Sequence, residues 1–181
     1  MSATLLAWTA LLVVLGLWTL GAHNRLTALR AAILGAWAQV EAVLQPRGQA
    51  LAALLAAAAQ PLAGEAAALD AVAAAQAQVQ AATDLLRRAP VDQDAVAELS
   101  KADAVLAAVL VRLVSLVEQQ TGLLAEPAVA DPMQVVRENP ARLVFARQVF
   151  NEAGLAYNRA TGQFPTRLLH SLLRFRPAGR L

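Results

Sequence analysis

The sequence predicts an all-α protein: an N-terminal transmembrane helix, then an elongated antiparallel four-helix bundle, then a short C-terminal amphipathic helix. Three observations predict it. Ala supplies 44 of the 181 residues and Leu 32, and these two stand at the head of the helix-propensity scale. Residues 1–22 carry no charged side chain. Beyond them, apolar residues recur at three-and-four spacing in four segments divided by proline-bearing breaks.

The first element is the run LLAWTALLVVLGLWTLGA, apolar apart from Thr9 and Thr19, with Trp8 and Trp18 near its ends. About 20 such residues cross the hydrocarbon of a bilayer, and Trp favours the headgroup level. A secretory signal would want a positive n-region, a shorter apolar core and an A-x-A site. The reading is therefore an uncleaved single-pass anchor over residues 1–22. No Lys or Arg precedes the span, whereas Arg25 and Arg30 follow it closely. The positive-inside rule then puts the N-terminus outside and residues 23–181 in the cytoplasm.

Residues 23–164 read as the bundle. The first seam runs Leu26, Leu29, Ile33, Ala36, Val40, Val43, and the second, poorer one Leu69, Val72, Gln76, Val79, Thr83, Leu86. The third runs Leu99, Ala102, Leu106, Val109, Leu113, Leu116, and the fourth Leu143, Ala146, Phe150, Ala153, Tyr157, Ala160, Phe164. QPRG at 45–48 kinks or ends the first helix. QPLAG at 60–64 is a firmer break, and APVD at 89–92 offers Asp92 as an N-cap. AEPAVADP at 125–132 reads as the longest loop, and ENP at 138–140 delays the last long helix to about Ala141. Residues 50–82 approach low complexity; they read as a thin helix packed by close approach, with an open self-associating face as the rival reading.

Residues 165–181 form a basic tail. In TRLLHSLLRFRP, Arg167, His170 and Arg174 fall at i, i+3, i+7, while the leucines and Phe175 make the other side. Arg167, Arg174, Arg176 and Phe175 are the candidates for contact with an anionic membrane face or a partner. The competing reading is that the leucines cap the bundle and the arginines are simply solvated.

Chemistry is sparse. There is no Cys, and His23 and His170 are the only imidazoles, which removes thiol nucleophiles and Cys-ligated metals. Glu41, Glu118, Glu138 and Glu152 invite comparison with carboxylate-bridged metal bundles, but those need Glu-x-x-His pairs, and the sequence has none. No metal, no cofactor and no enzymatic activity are expected. Mixed charge signs without a basic aromatic stripe also argue against nucleic acid. Arg147, Asn151 and Asn158 border the fourth seam; with Trp37 and Tyr157 they are the candidates for setting helix register by cross-helix contacts. Gln39 or Glu41 would be the partner of Arg147.

FARQVFNEAGLAYNRATGQFPTRLLHSLLRFRP at 145–177, with NRLTALR at 24–30 and AWAQVE at 36–41, resembles the LemA family of bacterial membrane-anchored helical proteins. The shared elements are Ala146-Arg147, Phe150-Asn151, Tyr157-Asn158, Phe164-Pro165 and Phe175-Arg176-Pro177. The chain departs from the family pattern at His23, at Pro46-Arg47 and Gln49, and at Ala52-Ala53, so the polar elements of the first helix read as largely lost. The resemblance implies an anchored bundle in a bacterial inner membrane and no established reaction. The leading expectation is a non-enzymatic scaffold or adaptor. Its partners would be the lipid bilayer, an unidentified membrane or cytoplasmic protein, or a second copy of itself. The rival is a sensor stalk whose bundle is bistable.

Overall fold

The computed structural model describes residues 3–120, 122–163 and 177–181. Four α-helices account for most of them: α1, Ala3–Ala58; α2, Ala66–Arg88; α3, Gln93–Gln119; and α4, Pro127–Gly162. No strand occurs among the described residues. At 56 residues, α1 is about 84 Å long at 1.5 Å per residue. The apolar N-terminal segment and the first bundle helix are thus one uninterrupted helix.

Polar pairs between helices define the topology. Glu41 of α1 meets Arg87 of α2, Glu65 just ahead of α2 meets Arg112 of α3, and Glu118 of α3 meets Arg137 of α4. Asn139 of α4 bonds to Val43 of α1. Successive helices therefore alternate in direction, and α4 closes back on α1. Packing is closest within two pairs, α1 with α4 and α2 with α3. In α2 the small residues Ala68, Ala75 and Ala82 are buried beside Val72, Val79 and Leu86, which lets the backbones approach. Thr83, also buried, satisfies its hydroxyl by donating to the Val79 carbonyl at 2.8 Å.

Two of the three connections between these helices have a clear local cause. Asp92 caps α3 by accepting from the amides of Asp94 and Ala95. Between α3 and α4 the chain turns at Gly122, whose φ of 86° lies in the left-handed region that only glycine enters without steric cost.

None of residues 5–20 is buried. Burial along α1 begins at Leu26 and follows the expected seam through Ile33, Ala36 and Val40, then on to Leu51, Leu54 and Ala58. Pro46 lies inside α1 and does not end it. Pro46 removes the helical donor to the Ala42 carbonyl, and the Asn139 amide of α4 donates to the adjacent Val43 carbonyl at 2.8 Å, tying a neighbouring helix to this turn. With apolar burial on both sides, the helix continues through.

The expected loop at 125–132 and the late start at Ala141 are both corrected. Helix α4 begins at Pro127 and carries Pro132 and Pro140 within it. Pro127 occupies the first turn, where its missing N–H is no loss. Val129, Met133 and Val136 are all buried, so the fourth seam starts about four turns before Leu143. That burial outweighs the interior proline penalty, about 3 kcal/mol.

The tail is also revised. Residues 177–181 carry no helix and lie against the bundle, with Ala178 and Gly179 buried. The expected amphipathic helix falls mainly on 165–176, outside the described residues.

Leu54 and Leu106 are completely buried and Leu34 is 53% exposed. Leu54→Ala or Leu106→Ala should each lower unfolding free energy by about 2–5 kcal/mol, against about 0.5 kcal/mol or less for Leu34→Ala. Chemical denaturation of the three variants checks this.

Candidate functional site

Three helices converge on one carboxylate. Asp103 of α3 is 6% exposed, on the buried side of its helix among Leu99, Ala102 and Leu106. Arg47 of α1 donates through Nη2 to Oδ1 at 2.5 Å, and Arg147 of α4 donates through Nη2 to Oδ2 at 2.8 Å. The Arg47 side chain is 7% exposed and that of Arg147 28%. Two guanidinium charges thus share a single carboxylate, leaving one net positive charge at a junction that is buried at Arg47 and part-exposed at Arg147.

Arg147 does not find the partner expected from the sequence. Gln39 is exposed, and Glu41 lines the groove between α1 and α2. There Glu41 pairs with Arg87, whose pKa it raises above the ordinary arginine value, first by hydrogen bonding and then by charge. Arg47 was read as the remnant of a reduced motif, yet it occupies the centre of the junction. The Asp103 signal is present but ambiguous: Leu99-Asp103-Leu106, spaced four and three, suits one helix face as well as Leu99-Ala102-Leu106, spaced three and four.

Asn151 and Asn158 were expected to bond across helices, and their contacts correct that. Each instead holds the backbone of the C-terminal segment. The Asn158 amide donates to the Ala178 carbonyl at 3.0 Å and its oxygen accepts from the Ala178 N–H at 2.7 Å. Asn151 makes the same pair with Leu181, both bonds at 2.8 Å. The two asparagines are seven residues apart, two turns along one face of α4, and so present two amides in a row to an extended chain. Between them, Gly154 lets the C-terminal segment lie close: a Cβ there would stand 3.3 Å from the Gly179 carbonyl oxygen. Gly179 is tighter still, since a Cβ would come within 2.8 Å of Val96.

Trp37 and Tyr157 are buried core residues. Trp37 packs edge-on against Phe150, with ring centroids 6.4 Å apart, a favoured aromatic geometry. Trp37 Nε1 and Tyr157 Oη have no hydrogen-bond partner among the described residues. Arg167, Arg174, Phe175 and Arg176 lie outside the described residues.

The two polar arrangements hold helices and tail in place; neither presents an activated nucleophile or an acid–base pair to solvent. Comparison with known proteins agrees with the sequence resemblance: the model of the LemA family matches residues 36–180. No curated protein matches the chain.

Two outcomes follow. Asp103→Ala should cost about 3–5 kcal/mol by stranding buried guanidinium charge, whereas Glu65→Ala at the exposed Arg112 pair should cost at most about 1 kcal/mol; urea titration separates them. In the double variant Asn151→Ala, Asn158→Ala, hydrogen exchange at the Ala178 and Leu181 amides should accelerate sharply while α2 and α3 keep their protection. Unchanged exchange at those two amides would show that the clamp does not hold the tail.

Proposed function

The chain belongs to the LemA family, and from that premise we propose that it is a non-enzymatic, membrane-anchored scaffold or adaptor. The observation that carries this reading is the bare N-terminal stretch of α1. Its large apolar side chains between Leu5 and Leu20 are 36–67% exposed. An 18-residue window of the helix has a mean hydropathy of 2.0 and no buried residue. A soluble protein would not leave such a surface in water; a bilayer would cover it, since residues 3–22 extend about 30 Å.

Because α1 is continuous, the bundle is joined to that segment without a flexible hinge and stands off the membrane as a stalk. Its outer faces are then the surfaces offered to protein partners, and the C-terminal basic residues those offered to lipid. The proposed setting is a bacterial inner membrane, single-pass, with the N-terminus out and the bundle in the cytoplasm, as Arg25 and Arg30 direct.

A second reading, a sensor stalk, draws on the same continuity: a rotation or shift of the apolar segment passes directly to the Arg47 contact. Cysteine pairs placed across α3 and α4 would then crosslink in yields that change with conditions, and one invariant pattern would reject it.

The native chain lacks cysteine, so single introduced thiols report cleanly. Lys101→Cys, exposed on α3, should resist a membrane-impermeant maleimide in intact spheroplasts and react once the membrane is opened. Labelling of intact spheroplasts would reverse the topology. Crosslinking in native membranes should capture either a ladder of self-adducts, as a homo-associating scaffold requires, or one reproducible foreign protein, as an adaptor requires. Recovery of monomer alone would count against both.

A further inference from the structure

The tight α1–α4 and α2–α3 pairs leave α3 and α4 apart along one side, and a cavity of about 520 Å³ opens there. Its walls are Leu110, Val111 and Val114 of α3 and Val136, Leu143 and Val144 of α4. Val111 and Val144 on its rim are 69% and 66% exposed, so no described residue covers it. The volume lies within the roughly 300–1,000 Å³ of small-molecule sites.

One end of this apolar trough is the charge junction. Arg47, Asp103 and Arg147 all line it, and Arg137 stands at the other end. Asp103 is the one acid in the lining, against three arginines. Arg137 has its own partner in Glu118, so the unbalanced charge belongs to the Arg47–Asp103–Arg147 group. The Nε atoms of Arg47 and Arg147 are buried and have no hydrogen-bond partner among the described residues. A buried guanidinium with unused donors and incomplete neutralisation is costly, and a second anion placed against it supplies acceptors and charge together.

We infer that the α3–α4 groove is a binding site for a single-chain anionic amphiphile, a long-chain carboxylate. Its head would add the missing negative charge at Arg147, the more accessible of the two arginines, and its chain would cover the valine and leucine walls. The trough beside Val136–Arg147 is about 17 Å long at 1.5 Å per residue, which suits an extended acyl chain. A short anion would leave the walls bare, and a neutral amphiphile would leave the charge unmatched. The site lies on the bundle and does not depend on which proteins the bundle meets.

The test uses the full-length chain in neutral-detergent micelles, a photoreactive long-chain carboxylate as probe, and mass spectrometry to locate the adducts. Adducts are expected on residues 107–115 and 136–147. Dodecanoate should compete for them at least tenfold better than dodecanol. Ala107→Trp places a large ring on the lining at an exposed position of α3; it should abolish the groove adducts while leaving the thermal melt unchanged. Arg147→Gln should bring dodecanoate down to the level of dodecanol. Adducts confined to residues 5–22, equal competition by the alcohol, or equal competition by inorganic phosphate would each overturn the proposal. So would groove adducts that persist in Ala107→Trp.

Discussion

A carboxylate held away from water inside a helical bundle needs counter-charge at one height along the axis, and Asp103 receives it from two other helices. This contact does what the apolar seams cannot. Ala, Leu and Val repeating at three-and-four spacing look much the same one turn up or down, so a helix displaced by 5.4 Å would meet nearly equivalent partners. Such a shift would strand Asp103 against aliphatic side chains and leave Arg47 and Arg147 unneutralised. Three of the four helices are therefore fixed in register by one ion-pair group, while hydrophobic burial supplies the cohesion.

The same division of labour explains the prolines. Pro46 and Pro140 each sit in the interior of a long helix, where local rules predict a break. Asn139, immediately before Pro140, reaches across to the Val43 carbonyl three residues before Pro46. A single side chain thus links the two proline-bearing turns. Apolar burial on both sides, at Val40 and Leu51 in α1 and at Val136 and Leu143 in α4, keeps the helices going. The result is a bundle whose first helix is also its apolar N-terminal extension, with no break between them.

The C-terminal segment is fastened by a different device. Asparagine side chains carry a donor and an acceptor with the spacing of a peptide group, so Asn151 and Asn158 serve α4 as two rungs of a ladder for an extended chain. The contact reads backbone, and its selectivity comes from space: Gly179 fits where any side chain would strike Val96. That makes the last five residues part of the bundle instead of a free basic tail.

Composition and periodicity determined the class of this protein without help: helix throughout, one apolar segment able to span a bilayer, four seams and the Asp92 cap. These were legible because each is a local property, set by residues within a turn or two. The helix limits around Pro46, Pro132 and Pro140 were not, because a proline's local cost is offset by burial supplied from helices distant in sequence. Nor was the candidate site. Arg147 was visible as a polar residue beside a seam, but its partner lies 44 residues away, and Arg47 reaches the same carboxylate across 56. An asparagine at seven-residue spacing looks alike whether it faces a helix or a returning non-helical segment. Only the tertiary structure decided these points, because which charges and amides meet depends on how the helices are stacked, and periodic sequence leaves that stacking degenerate.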